Sequence, residues 1–487
     1  MLFLYTILIV PLIGVICLSL IGHKRVAGIV NIGFNLLNFA VTLFLVAHFL
    51  TNGPFFSPHQ LFYVDAFNIL FGILTTFTTT TIAIFSRGYM WQNLLNKRIT
   101  EQQLRLYHIM YQLFVLMLLL ALFTNNIGML WVTMEGATLA TVLLVSLYRT
   151  KEAVEAAWKY FILCIVGIAL ALFGTILFYA SATHIIAPKD AILWSNLYQY
   201  AHYLNPAIIK LGFIFLLVGY GTKIGLVPMH HWLPDAYSES PAPVSALLAG
   251  LLSTVSLYAL MRFKIIVNLT LDNNLAGNLM IGFGLLSFLY AAVMLHRQNN
   301  IKRLFAYSSI ENMGLITFAF GINNPLATFG ALFYTIAHSL IKSAIFITIG
   351  NVIWTTGTQK LDQIRGLIQK QPYIGWGLLL GTIAISGLPP FAIFNSEIML
   401  FIATAKISPW LVLLLIFGLL IVLAGLFRNI HPLVYGAANN THPQTEQKKS
   451  SMVSAILHLS MAGVLSFYLP PFLAQCLQQA TLILTNK

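Results

Sequence analysis

KLGFIFLLVG, residues 210–219, is continuously apolar from Leu211 to Val218. Transmembrane β-strands alternate apolar and polar residues over segments of about ten, so a run of this kind argues against a barrel. It has many counterparts. Of the 487 residues 59% are hydrophobic and 8% charged, the mean hydropathy is +0.84, and apolar stretches able to cross a core of about 30 Å recur along the chain. The sequence therefore predicts an all-α, polytopic membrane protein. Fourteen spans are expected, near 2–22, 27–50, 60–86, 108–124, 126–148, 157–182, 206–228, 242–261, 275–295, 304–322, 325–353, 373–403, 409–427 and 452–480.

No stretch has the composition of a soluble domain, so residues 1–487 read as one membrane domain. Its expected parts are three N-terminal helices (1–107), a first repeat (108–268), a second (275–428) and a last helix (452–480). WKYFILCIVG (158–167) and IKSAIFITIG (341–350) each place a lysine eight residues before a glycine. That match suggests two five-helix repeats, spans four to eight and nine to thirteen. Five is odd, so corresponding helices run in opposite directions.

MLFLYTILIVPLIGVICLSLIGHKR (1–25) has no basic region ahead of its apolar stretch and no small-residue cleavage site, and reads as a retained first helix. Cys17, Cys164 and Cys476 are far apart with no CxxC, so no iron–sulfur cluster, zinc site or disulfide framework is encoded and no metal, cofactor or redox centre is expected.

The net charge of +13 would suit nucleic acid in a soluble chain. Here its distribution points elsewhere. Seventeen of the 26 Lys and Arg fall in the odd-numbered connections, whereas the other side holds five, Lys189, Arg262, Lys264, Lys406 and Lys487. This positive-inside bias predicts an inner, cytoplasmic membrane with both termini non-cytoplasmic, and anionic lipids rather than nucleic acid facing the excess charge. Gly436–Ser451 reads as a flexible cytoplasmic loop. Thr183–Asn205 reads as a surface connection on the opposite side, with Trp194, Tyr200 and Tyr203 in an interface belt.

Against this background Glu135, Lys223, Lys342 and Glu397 lie inside spans. A charge at mid-membrane opposes insertion by roughly 2.5–3.5 kcal/mol, so the four together cost on the order of 10 kcal/mol. Two of them adjoin helix breakers, Lys223 in GTKIGLVPMHHWLPDA (221–236) and Glu397 in SGLPPFAIFNSE (386–397). Proline removes an amide donor, and broken helices at depth are tolerated where protein or a water-filled cavity surrounds them, as at transport sites.

Glu135 has no charged neighbour before Arg149, so it is protonated, paired or hydrated, or else a neutral structural acid bonded to a neighbouring helix. Lys223 needs a partner from another helix, for which Glu135 is the candidate, unless it snorkels to the surface. His338 and Lys342 are four apart and share a helix face, able to pass a proton through water, although a lone His is commonly a packing residue. Glu397 is a gate carboxylate or a helix-end residue. Lys159 is a further candidate on the proton path, or else, with Glu155 four residues before it, an ordinary surface ion pair. His230 and His231 are adjacent and make a poor metal pair, and one of them would line the cytoplasmic mouth near Asp235. No nucleophile elbow, phosphate loop or nucleotide fingerprint is present.

The stretch KIGLVPMHHWLPDAYSESPAPVSALLAGLLSTVSLYALMR (223–262), with IKRLFAYSSIENMGLI (301–316), AHSLIKSAIFITIG (337–350) and WVTMEGATLATVLLVSLYRTKEAVEAAWKYFILCIVG (131–167), resembles the antiporter-like subunits of respiratory complex I, Mrp-type cation/proton antiporters and membrane-bound hydrogenases. Within that family it is similar to the hydrogenase-4 component F type. The resemblance implies fourteen helices, inverted repeats and a proton path along the membrane midplane. By motif, Glu135 takes the place of the fifth-helix glutamate, Lys223 that of the lysine in the broken seventh helix, and His338 and Lys342 that of the eleventh-helix pair. Glu397 stands where relatives carry Lys or Glu in the broken twelfth helix. Many relatives have Lys or His in the eighth helix, where LLAGLLSTVSLYALM (247–261) offers Ser253, Thr254 and Ser256, so water has to bridge that span. The chain also stops soon after span fourteen, without the long lateral helix of one complex I subunit.

The expected function is that of a proton-translocating membrane subunit of a redox-driven complex of the hydrogenase-4 or NADH-quinone oxidoreductase kind. Its partners would be other membrane subunits and a peripheral hydrogenase or dehydrogenase arm. The rival readings are a Mrp-type cation/proton antiporter subunit, carrying Na⁺ without a redox partner, and an ion-inactive anchor of a carbon-uptake or other enzyme complex.

Overall fold

The computed structural model describes residues 1–437 and 449–485. The chain is an all-α polytopic membrane protein. Among the described residues eleven helices are long and apolar enough to cross a membrane, and the pair Val453–Phe467 and Pro471–Thr485, bent by 75°, makes up to twelve. The remaining expected positions, ten and twelve, are also helical. Ile301–Gly321 has the length, but Ser308, Ser309, Glu311 and Asn312 lower its hydropathy. Span twelve is two short helices, Pro372–Ile385 and Ala392–Ala405. Span seven is likewise Pro206–Ile224 followed by Trp232–Glu239.

Short polar side chains set where the helices begin. Asp65, Thr100, Asn126, Thr150, Asn205, Asn300 and Asn324 each accept from first-turn amides, satisfying donors that have no partner within the helix. The Asp65–Asn68 and Thr100–Gln103 pairs are reciprocal capping boxes. They move two boundaries from where hydropathy puts them. Span three runs Ala66–Leu95 and span four Glu101–Phe123, so Arg87 and Arg105 lie on helices rather than in the connection.

Burial shows which helices are central. All of the most apolar stretch of Ala242–Thr270 (span eight) and 94% of that of Pro325–Thr356 (span eleven) are buried, against 28% in Pro409–Tyr435 (span thirteen). Spans eight and eleven thus form an inner layer, screened from lipid by the other helices. Glycine allows the tightest approaches around it. A Cβ on Gly219 would lie 2.6 Å from the Gly167 carbonyl oxygen, and one on Gly284 would lie 2.6 Å from the Phe318 nitrogen.

Three expectations are corrected. Arg262 and Lys264 are not connection charges, because span eight continues to Thr270 and buries both. Trp194 does not join an interface belt. It is buried, donating Nε1 to the Arg262 carbonyl at 2.8 Å with the Arg262 guanidinium 4.6 Å from its ring, whereas Tyr203 is exposed. Span fourteen is not one helix, since Pro470 and Pro471 stop Val453–Phe467 and start the next segment. The polar loop expected over Gly436–Ser451 falls largely outside the described residues, as does Lys487.

Candidate functional site

The structure brings Lys223 and Glu135 together. Lys223 Nζ lies 3.4 Å from Glu135 Oε2, donates to the Met134 carbonyl at 2.9 Å, and hydrogen-bonds the Thr138 hydroxyl. The lysine is fully buried, and the Glu135 side chain keeps 18% of its exposure. A buried ammonium requires a counter-charge and filled donor positions, and span five supplies both through Glu135, Met134 and Thr138. Lys223 lies in the last turn of its half-helix, where the partial negative charge of the carbonyls favours a cation. The helix ends at Gly225 in the left-handed region (φ +90), and the Trp232 indole donates to the Thr222 carbonyl freed by the break.

The second centre gathers on spans ten, eleven and twelve. Lys342 donates to the Phe305 carbonyl at 3.0 Å and faces the Phe305 ring at 5.7 Å. Tyr334 links Asn312 and Glu397, its hydroxyl 3.0 Å from Asn312 Oδ1 and 3.3 Å from Glu397 Oε1. Asn312 in turn bonds the Glu311 carboxylate. Glu311, which the sequence does not single out, is fully buried. Glu397 is buried just past the break of span twelve, beside Gly387. Gly387 has φ +66, and any Cβ there would collide with the Glu397 carboxyl.

Between the centres, span eight carries a π-helical turn at Leu248–Leu252, a feature common at functional sites. Gly250 packs on span eleven, where a Cβ would come within 3.2 Å of the Ser339 carbonyl and meet the Ser343 hydroxyl at 2.5 Å. Of the span-eight hydroxyls, Thr254 donates to Gly250 and Ser256 to Leu252 on their own helix, whereas Ser253 faces Tyr237. His338, Ser308, Ser339 and Ser343 are fully buried, with no side-chain hydrogen bond among the described residues. Buried polar groups ordinarily find partners, and water is the usual one where protein supplies none. Buried polar side chains thus lie in the seam between the two lysines, among the apolar residues of span eight.

The remaining candidates lie apart from this seam. Lys159 is half-exposed and pairs with Glu155 at 2.7 Å and Asp235 at 3.2 Å, and Arg303 reaches Asp235 at 2.9 Å. His230 packs against Tyr290 at 4.8 Å between ring centres, while His231 beside it is exposed. Among the described residues no group of three or more His, Cys, Asp or Glu is arranged to hold a metal ion.

Residues 124–423 match the family model described as NADH:quinone oxidoreductase/Mrp antiporter, TM. The chain belongs to that family. Every residue of the two centres falls inside the matched stretch. Among relatives in this antiporter family, the hydrogenase-4 component F homolog of Methylacidiphilum infernorum (isolate V4) is 43% identical over 98% of this chain and 99% of its own. Two solved structures have the same fold. A chain of the archaeal membrane-bound sulfane sulfur reductase superposes with a TM-score of 0.87 at 23% identity, over 99% of this chain and 97% of that one. A chain of the Mrp complex from Dietzia sp. DQ12-45-1b superposes with a TM-score of 0.82 at 15% identity, over 100% and 97%.

Proposed function

We propose that the chain is a proton-translocating, antiporter-like subunit of an inner-membrane complex driven by electron transfer in a partner of the hydrogenase-4 or NADH-quinone oxidoreductase kind. The carrying observation is the pairing of fully buried Lys223 with partly buried Glu135, 3.4 Å apart at a helix break. The full-length similarity to a hydrogenase-4 component F homolog supports the redox partner. Other membrane subunits and a peripheral redox arm would complete the assembly, with the termini on the non-cytoplasmic side.

In this reading Glu135 and Lys223 form the first station. With Glu135 ionised, Lys223 holds its proton. A proton arriving on Glu135 removes the counter-charge, and the Lys223 ammonium then gives its own proton toward the seam and becomes a neutral amine. Ser253 and Thr254 supply hydroxyls across span eight, His338 and Lys342 receive the proton in the second half, and Glu397 passes it to the exit side. Lys159 and His230 serve the cytoplasmic mouth. Spans four to eight and nine to thirteen act as two inverted repeats, each with one broken helix. Moving one charge against 100 mV costs about 2.3 kcal/mol, within reach of a redox reaction.

The test uses inverted membrane vesicles with H₂ or NADH as reductant, reading proton uptake and reductant consumption together. Glu135→Gln and Lys223→Ala are expected to abolish uptake while part of the redox turnover remains. Full uptake in both variants overturns the assignment. Sodium–proton exchange without reductant would instead favour the antiporter reading, to which the Mrp antiporters within the matched family lend some weight.

A further inference from the structure

Span ten carries a carboxyl group that the scheme above leaves unused. Glu311 is fully buried, and among the described residues its one hydrogen bond comes from its neighbour, the Asn312 amide. A carboxylate without water is costly unless something balances it. The groups that act on it electrostatically are Lys342 on span eleven and Glu397 on span twelve. Glu311 is therefore within electrostatic reach of both the base that receives the proton and the acid that releases it, and is joined to the acid through Asn312 and Tyr334.

The stripe beneath it is continuous. Phe305, Ser308 and Asn312 follow at spacings of three and four, on one face of the helix with Glu311 beside them. The Phe305 carbonyl accepts from Lys342, and the Ser308 hydroxyl is buried and unbonded. At the far end Tyr334 has one hydroxyl proton and two oxygens to serve, Asn312 Oδ1 and Glu397 Oε1. With Glu397 ionised, Tyr334 donates to it. With Glu397 protonated, the acid donates to Tyr334 and Tyr334 donates to Asn312. The Asn312 amide nitrogen donates to Glu311 on its other side, so the two carboxyl groups are held in one frame in which the Tyr334 hydroxyl changes acceptor when the proton moves.

We propose that Glu311 is an intermediate proton station between Lys342 and Glu397, with Asn312 and Tyr334 as its positioning residues. The proposal rests on the proton-translocation reading. In the first step an N–H bond of the Lys342 ammonium breaks and an O–H bond forms on Glu311, leaving a neutral amine and a neutral carboxylic acid. In the second, that O–H bond breaks as one forms on Glu397, and Glu311 returns to the carboxylate. One proton has moved, no electron has, and Lys342 is ready for the next proton. The second half then contains an acid and an amine as the first half does, the acid being on span ten instead of span five.

The same vesicle assay, with whichever of H₂ or NADH drives uptake in the unsubstituted protein, tests this. Glu311→Gln keeps the shape and the Asn312 contact but cannot carry a proton, and is expected to lower proton uptake per reductant by at least about tenfold. Tyr334→Phe is expected to slow uptake less. Unchanged uptake in Glu311→Gln overturns the proposal. If Glu135→Gln and Lys223→Ala also pump fully, the underlying reading falls with it; if they are inactive while Glu311→Gln pumps, this inference alone is wrong. Should Glu311→Gln not assemble, Glu311→Asp decides: slowed uptake with a displaced carboxylic C=O stretch in the turnover-minus-resting infrared difference spectrum supports the station, and an unchanged rate and spectrum overturn it.

Discussion

Arg262 and Asp65 form a two-pronged ion pair, Nη1 to Oδ2 at 2.7 Å and Nη2 to Oδ1 at 2.8 Å. It joins span eight to the residue that caps span three. Neither side chain reaches solvent appreciably, and Tyr258, Trp194 and Phe67 pack around the guanidinium. Asp65 also caps its own helix, so one carboxylate serves the helix start and the tertiary clamp.

Removing one partner strands the other. Arg262→Ala is expected to destabilise the protein by about 3–5 kcal/mol, the usual cost of an uncompensated buried charge. Asp65→Ala loses the cap as well. In detergent thermal unfolding, Arg262→Met combined with Asp65→Asn should recover part of the loss. A double variant no more stable than Arg262→Ala would count against the clamp.

Gly387→Ala meets two obstacles, a left-handed backbone and the Glu397 carboxyl. Displacing Glu397 from Tyr334 is expected to cut proton uptake and to lower stability by roughly 1–3 kcal/mol. Uptake assays and thermal unfolding check the two effects separately.

Span eight offers a comparison between neighbours. Thr254 already donates to its own helix, whereas Ser253 does not. Ser253→Ala is therefore expected to slow proton uptake more than Thr254→Val does. Equal rates would remove Ser253 from the path between the two centres.

Lys302 caps the second half of broken span seven, donating to the Ser238 and Ser240 carbonyls at 3.2 and 2.5 Å. Lys302→Met leaves those carbonyls unserved and should cost about 1–3 kcal/mol in unfolding experiments. Lys302→Arg should recover part of it.

The costly charges are legible in the sequence because their surroundings are apolar. Lys223 has no charged residue close by in its own span, so a partner on another helix has to be inferred, and Glu135 is the candidate. Glu311 is hidden for the opposite reason. Ser308, Ser309 and Asn312 make its segment look mixed, and only the packing of spans eleven and twelve reveals that Asn312 and Tyr334 link it to Glu397. Arg262 reads as a loop charge because the apolar run weakens after Met261, although the helix continues to Thr270. Local hydropathy carries no record of Asp65, 197 residues away. The break of span fourteen is written in Pro470 and Pro471, and the apolar residues on both sides mask it.

The burial of the inner layer has a consequence for how the chain is made. Ile301–Gly321 is too polar, and Pro372–Ile385 and Ala392–Ala405 are each too short, to settle in hydrocarbon alone. Their polar groups become tolerable once span eleven is beside them, its Tyr334 and Lys342 bonding Asn312, Glu397 and the Phe305 carbonyl. Biogenesis must then be cooperative, with strongly apolar helices such as Lys151–Ala182 and Pro409–Tyr435 entering the bilayer first and sheltering the segments that hold Glu311 and Glu397.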